Sequence, residues 1–420
     1  MFIKSGLNFI DLFAGAGGLS EGFIQAGFNP IAHVEMNEAA ARTLETRAAY
    51  MFLKQRGGLK RYYRYERGEI SREELFDKIP SEVTKTVINV EMSSKTIRGI
   101  FDRIDEILAE DNIEHVDVVV GGPPCQAYSL VGRAQSSHMI VPMNEDPRNE
   151  LYKMYTRFLT QYQPKMFVFE NVAGLKSANG GGTFKNLQAH LKRVGYEIEC
   201  KEQNARDFGV LQNRRRIIII GWRKDTDYSY PSFPKIHSNA LVNDVLSDLP
   251  PVRHGGYAEE YLPFQQASAY VRKNKLRTKN DVLTHHVVRP NNDRDMEIYR
   301  RAIEAWNKGV RLKYTDLPDN LMTHKNKTAF LDRFKVVEGN QHFCHTVLAH
   351  LAKDGHYFIH PDIEQCRSIS VREAARLQTF PDNYFFEGSR GQQFVQIGNA
   401  VPPMMAKKIA EAIKTQLVKM

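Results

Sequence analysis

The sequence predicts an α/β protein built on a parallel sheet, and three observations carry that expectation. Short apolar runs rich in branched and aromatic residues recur at 8–13, 116–120, 166–169 and 216–220. Helix-length segments separate them, the alternation expected of a parallel sheet. The runs are also nearly continuous, as in DVVV and RIIIIG, which suits strands that helices cover on both faces. The 420 residues are 42% hydrophobic and 25% charged, enough to bury a large core and unlike a disordered or collagenous chain. No stretch approaches the roughly 20 apolar residues of a membrane helix. The N-terminal MFIKSGLNFIDLF has one lysine before a short apolar run, so no signal peptide is expected and the protein should be cytoplasmic.

The first strand ends at Phe13 and opens into a turn with Gly15, Gly17 and Gly18, ahead of a helix from near Leu19. Such a turn either lets a nucleotide approach the backbone or serves as a tight strand-to-helix connection. Ser20 occupies the place of a third glycine, which disfavours a nicotinamide cofactor. The second strand, IAHVE, ends at Glu35, about 20 residues on, where an acidic side chain can grip ribose hydroxyls. The pairing fits an adenosine-containing cofactor without a pyrophosphate. Residues 47–85, containing LKQRGGLKRYYRYERGEISREELF, read as an inserted helical excursion.

The next strand breaks into Gly121, Gly122, Pro123 and Pro124 and delivers Cys125 at its carboxyl end, the edge where open α/β sheets bind ligands. Cys200, Cys344 and Cys366 read instead as small buried hydrophobes. The four cysteines lie far apart with no CxxC pair, which opposes a zinc ribbon, a metal site or a disulfide framework and fits a reducing compartment. MFVFEN leads into Glu170, alone readable as a surface glutamate. At the rim of an apolar site its poor solvation would favour the neutral, proton-donating form. In QNRRRIIIIG, Gln212, Arg214 and Arg216 alternate and should face one side, with Arg215 facing away. Two guanidiniums on one face can hold phosphate or a base edge, though a solvated basic strand end is the simpler reading.

After Trp222 the alternation fades into a polar, proline-punctuated segment rich in basic and aromatic residues, which reads as a smaller second domain. It holds Arg272, Lys273, Lys275, Arg277 and Lys279, then His285, His286 and Arg289, a set suited to neutralising phosphates. With 58 Lys plus Arg against 49 Asp plus Glu, the whole chain carries a formal charge of +9, which suits a polyanionic partner. Helical periodicity returns at Val371, Ala374, Ala375 and Leu377, stopped by Pro381. It returns again after Pro402 and Pro403, with Met405, Ile409, Ala410, Ile413 and Leu417 on one face.

Taken in order, the glycine turn, GGPPCQAYS, ENVAGL, QNRRR, REAARLQTFPDNY and QIGNAVPP closely resemble the DNA (cytosine-5)-methyltransferase family, of the bacterial restriction-modification type. The resemblance covers residues 8–222 and about 344–418. It implies a Rossmann-like S-adenosylmethionine-dependent methyltransferase sheet in a catalytic domain, 1–222. A smaller, irregular target recognition domain would follow at 223–343, then a C-terminal block, 344–420, whose last helix returns to the catalytic domain. It implies Cys125 as the nucleophile on carbon 6 of a flipped cytosine, Glu170 at ring nitrogen 3, and Arg216 with Arg214 beside it holding the base and its backbone. S-adenosylmethionine contacts would fall at Phe13, Gly15, Gly17, Gly18, Glu35, Met36, Glu91, Pro123, Asn399 and Val401, Glu91 standing where aspartate is usual. Arg372 and Arg376 match positions that support the recognition region. The partner implied is double-stranded DNA, for a monomeric enzyme paired with a restriction endonuclease. An RNA cytosine methyltransferase shares this chemistry, but the long basic middle segment favours duplex DNA. A catalytically silent DNA-binding protein is opposed by the intact Cys125, Glu170 and Arg216.

Overall fold

The computed structural model describes residues 6–123, 151–323, 327–328 and 330–418. Seven strands form the central sheet: β1 (Asn8–Leu12), β2 (Asn29–Glu35), β3 (Val87–Asn89), β4 (Val118–Gly121), β5 (Met166–Asn171), β6 (Tyr196–Asn204) and β8 (Arg215–Arg223). β7 (Gln212–Asn213) and β9 (Cys344–His345) make a separate two-stranded ribbon. The order across the sheet is β3-β2-β1-β4-β5-β8-β6. Strands β3 to β5 run parallel, and the chain reverses its direction of winding between β1 and β4. The carboxyl ends of those two strands therefore frame the crevice in which such sheets bind ligands.

The sheet is mixed rather than wholly parallel. β8 runs antiparallel to both β5 and β6. The return from β6 to β8, residues 205–214, is too short for the crossover that a parallel partner requires. β6 escapes a hydrophobicity search because Glu197, Glu199, Lys201 and Glu202 interrupt it, and an edge strand with charges resists pairing with other chains.

Alternate residues of each strand serve opposite faces, which explains the continuous apolar runs. Val119, Phe167, Phe169, Ile217 and Ile219 pack under α6 (Ile97–Glu110), α7 (Leu151–Tyr162) and α8 (Gly182–Arg193). Val118, Val120, Met166, Val168, Ile218 and Ile220 pack under α1 (Gly18–Gln25) and a C-terminal helix spanning Pro403–Val418. Those last two helices touch almost backbone to backbone. A Cβ at Gly22 would lie 2.4 Å from Ala406 Cβ and from the Lys407 nitrogen.

Between β2 and β3, α2 (Glu38–Gln55) continues unbroken through Arg47 and is followed by α3 (Leu59–Glu66), α4 (Arg72–Phe76) and α5 (Ser81–Thr84). This excursion has its own core, in which Tyr62, Ile70, Leu75, Ile79 and Val83 close against Ala49, Tyr50, Phe52 and Leu53 of α2. Glu66 is buried at its edge, and neither carboxylate oxygen has a hydrogen-bond partner among the described residues.

The middle of the chain is largely irregular and is tied to residues 367–387 by buried ion pairs. Arg376 lies between Asp248 and Asp382, Arg277 also binds Asp248, and Arg372 donates to the Thr284 carbonyl and hydroxyl. The basic set expected at a phosphate surface is therefore divided. Arg272, Lys273, Lys275 and Lys279 are exposed, but Arg277 is buried over the Tyr261 ring. His286 is buried between Ser370 and the Pro250 carbonyl, and His285 accepts the Phe386 N–H. No helix among the described residues is long and apolar enough to cross a membrane.

Two outcomes follow from this packing. Gly22→Ala should lower stability by about 1–3 kcal/mol in chemical denaturation, because the added methyl must separate two helices in backbone contact. An unchanged midpoint would contradict that packing. Burial pushes the Glu66 carboxyl well above its usual range, with Arg372 opposing and Asp281 adding to the rise. The folded chain then keeps a proton that the unfolded chain releases at the ordinary value, so this group's stabilisation is lost as pH rises above it. Glu66→Gln should be more stable than wild type at about pH 8 and show a flatter decline from about pH 5. An identical pH dependence in denaturant titrations would refute this.

Candidate active site

The turn after β1 is shaped by backbone strain and by its neighbours. Phe13 sits at φ 56, an uncommon region for a bulky residue, and Gly15 and Gly17 at φ 55 and 75. The glycines divide their roles. A Cβ at Gly15 would meet nothing within 4 Å among the described residues. A Cβ at Gly17 would meet Leu44 and the Tyr384 hydroxyl, and one at Gly18 would lie 2.3 Å from the Val401 carbonyl oxygen. The segment after the helix Arg390–Asn399 thus lies directly against the turn, with Asn399 exposed and Val401 buried.

Glu35, at the end of β2, locks the turn from the other side. Its Oε2 accepts the Gly15 N–H at 2.7 Å and its Oε1 accepts the Asn37 N–H at 2.7 Å. Burial pushes its carboxyl up, and the backbone N–H bonds oppose that shift. Met36, next in sequence, is 61% exposed. Glu91 stands exposed just beyond β3, where Thr96 holds its carbonyl. Asn89 of β3 donates to the Glu35 carbonyl.

Two contributors at this edge escape sequence reasoning. Asp11 is buried in β1 with Oδ2 unpartnered among the described residues, and burial, then Glu35, raises its carboxyl well above the usual range. A single acidic residue inside FIDLF is the signal that could have found it. Ser20, where a dinucleotide fold has glycine, pairs its hydroxyl with buried His33 at 2.7 Å. Burial pulls that imidazole down to about 4, so it is neutral at physiological pH.

At the adjacent strand ends, β4 passes into Gly121 and Gly122 hard against its neighbours. A Cβ at Gly121 would lie 2.2 Å from the Leu12 carbonyl oxygen, and one at Gly122 would lie 2.6 Å from the Glu170 carbonyl oxygen and 2.8 Å from Glu170 Oε2. Asn171 donates to the Pro123 carbonyl at 3.1 Å, fixing the chain as it leaves the strand. Cys125 and Pro124 lie outside the described residues.

Glu170 faces Arg216 across the β5–β8 pair, Nε to Oε1 at 2.9 Å, both side chains only slightly exposed. The contact is an ion pair that falls short of an aligned hydrogen bond, and Oε1 accepts no hydrogen bond among the described residues. Arg214 does not stand beside Arg216. It is fully buried and donates to the Val347 carbonyl at 2.8 Å and the Gly398 carbonyl at 3.0 Å. Gln212 likewise points inward, to the Leu377 carbonyl and Gln378. Strand parity does not run through QNRRR because Gln212 and Asn213 pair with β9 while Arg215 begins β8. Arg215 points outward, as its parity suggests, towards Glu202.

The three described cysteines are not placed as nucleophiles. Burial pushes the Cys344 thiol well up and raises Cys200 and Cys366. Among the described residues no group of three His, Cys, Asp or Glu is positioned to hold a metal ion.

The sequence matches the family described as C-5 cytosine-specific DNA methylase over residues 7–56 and 82–415. It is 42% identical to the Type II methyltransferase M.Bpa9945I of Bacillus paralicheniformis, covering 96% of this chain and 98% of that protein. It is 31% identical to the Type II methyltransferase M.AgeI of Thalassovita gelatinovora, covering 97% and 99%. The fold is shared with the methyltransferase EhMeth of Entamoeba histolytica, at a TM-score of 0.56 and 15% identity over 98% of this chain and 99% of that one.

Glu35→Gln should destabilise the chain by roughly 1–3 kcal/mol, since an amide nitrogen cannot accept a backbone N–H and the variant loses one charge-assisted, part-buried hydrogen bond. Unaltered unfolding would show that Glu35 does not hold the turn.

Proposed function

Because the chain belongs to the C-5 cytosine-specific DNA methylase family, we propose that it moves a methyl group from S-adenosylmethionine to carbon 5 of a cytosine flipped from a specific duplex DNA sequence. The observation that carries the reading is the Glu170–Arg216 pair set against Gly122 and Pro123 at the mouth of the β1–β4 crevice. The neighbouring turn suits the cofactor: no described residue crowds Gly15, and Glu35 places its carboxyl group at the end of β2. Phe13, Gly15, Gly17, Gly18, Glu35, Met36, Glu91, Pro123, Asn399 and Val401 would hold it. When bound, S-adenosylmethionine supplies a methyl group made electrophilic by its sulfonium.

Carbon 5 of cytosine is a weak nucleophile. The Cys125 thiolate adds to carbon 6 and drives electron density to carbon 5, which then takes the methyl group. Glu170 steadies or protonates ring nitrogen 3, so that the charge arriving in the ring is neutralised where it forms. Arg216 orients Glu170 and reaches the base or its backbone. Solvent or a base at the site takes the carbon 5 proton, that bond's electron pair expels the Cys125 thiolate from carbon 6, and ring nitrogen 3 returns any proton it received to Glu170, which restores the aromatic ring and frees the enzyme. Arg214 serves by holding the 347 and 398 segments in place behind this edge. Chemistry above the ring requires the base to leave the stack, which the exposed lysines and Arg272 assist by binding phosphates. Relatives bearing the name Type II methyltransferase favour a protective role beside a restriction endonuclease.

Bisulfite sequencing of DNA from cells expressing the chain should show one sequence context protected at a single cytosine. The Glu170→Ala variant should retain only about 10⁻² to 10⁻⁴ of the wild-type rate. Methylation spread without context, or full activity in the variant, would overturn the assignment of Glu170 and of sequence specificity.

A further inference from the structure

Residues 57–81 are the internal segment that the family match leaves out, yet they are wired to the glycine turn. The Tyr62 hydroxyl donates to the Asn383 carbonyl at 3.1 Å, and the Tyr65 hydroxyl donates to Glu387 Oε1 at 2.7 Å. The Tyr65 ring also packs on Phe385, with centroids 5.1 Å apart. Between those anchors lies Tyr384, fully buried, whose hydroxyl donates to the Ala16 carbonyl at 2.5 Å. Ala16 sits between Gly15 and Gly17, both in the left-handed region. Two glycines give the turn little stiffness of its own, so its shape depends on outside anchors. Glu35 supplies one at Gly15, and Tyr384 supplies the other at Ala16.

Arg47 reinforces the same route. It donates to the Asn383 carbonyl and side chain, pairs with Glu21 of α1 at 2.6 Å, and stacks over Tyr384 at 4.7 Å. Residue 383, clamped by Tyr62 and Arg47, is thus one peptide away from the residue that holds the turn.

We propose that the 57–81 excursion is a brace for cofactor binding, with Tyr62 and Tyr65 as positioning residues that act on the turn through Tyr384. The proposal rests on the methyltransferase reading. The excursion lowers the freedom of the 383–387 segment, which keeps the Tyr384 hydroxyl on Ala16 and the Gly15 face open in one shape. Pre-forming a site in this way raises affinity without any contact to the ligand.

The test uses the full chain with Tyr62→Phe and Tyr65→Phe combined, and Tyr384→Phe alone and on that background. The rings stay, and Arg47 and Thr46 still reach the Asn383 carbonyl and Glu387, so the variants should fold. Calorimetric Kd for S-adenosylhomocysteine and KM for S-adenosylmethionine should each rise about threefold to tenfold in the Tyr62/Tyr65 variant, the scale of one or two hydrogen bonds. Its kcat at saturating cofactor and its KM for DNA should not move. On the Tyr384→Phe background the same two changes should add little, because the relay is already cut. A lowered Tm with unchanged cofactor constants, or effects that simply add, would overturn the brace. Wild-type protein that neither binds S-adenosylhomocysteine nor transfers methyl would instead overturn the reading beneath it.

Discussion

The two ends of the chain meet at the glycine turn, and the contact tolerates no side chain. Gly18 and Gly22 leave room for the Val401 carbonyl and for the Ala406 backbone, so the helix Pro403–Val418 lies flat on α1 and seals one face of the sheet. Much else follows from that approach. It places the end of the helix Arg390–Asn399 at the crevice and brings Tyr384 onto Ala16. It also sets the carbonyls of Val347 and Gly398 within reach of Arg214. A site drawn from segments hundreds of residues apart is therefore assembled by close packing of backbone rather than by a local motif.

Around the crevice the polar groups fall into two sets. Asp11, Glu35 and their backbone donors form a buried acidic edge that fixes the turn. Glu170 and Arg216 form a partly exposed pair on the next strands, with one carboxylate oxygen not fully engaged. The first set holds the shape of the turn, and in the second Glu170 Oε1 accepts no hydrogen bond among the described residues. The proposed chemistry divides along the same line, with cofactor at the first and base at the second.

The features legible in the sequence were those that depend on local pattern. Continuous apolar runs located most of the central strands because both faces are buried, and glycines marked turns that need positive φ or close approach. Side-chain direction was less legible wherever tertiary packing intervened. Arg214 looked like a companion of Arg216 until the change from β7 to β8 broke the parity between them. Arg277, His285 and His286 looked like a phosphate surface, but their partners, Asp248, Phe386 and Ser370, lie 29, 101 and 84 residues away. The reversed direction of β8 left no mark in its composition, since an antiparallel strand buried on both faces has the same apolar run as a parallel one. The excursion was visible as an insertion, but its docking on 383–387 depends on tyrosine hydroxyls whose targets no spacing rule predicts.

The proposed chemistry depends on a bond between Cys125 and carbon 6 of the target base, and covalent trapping tests that bond. Duplex DNA carrying 5-fluorocytosine at the target position, mixed with the protein and S-adenosylmethionine, blocks the last step because fluorine cannot leave as a proton does. The expected result is a denaturation-resistant protein–DNA adduct that peptide mass spectrometry places on Cys125, absent from Cys125→Ala. An active wild-type enzyme that yields no adduct, or an adduct on another residue, would contradict it.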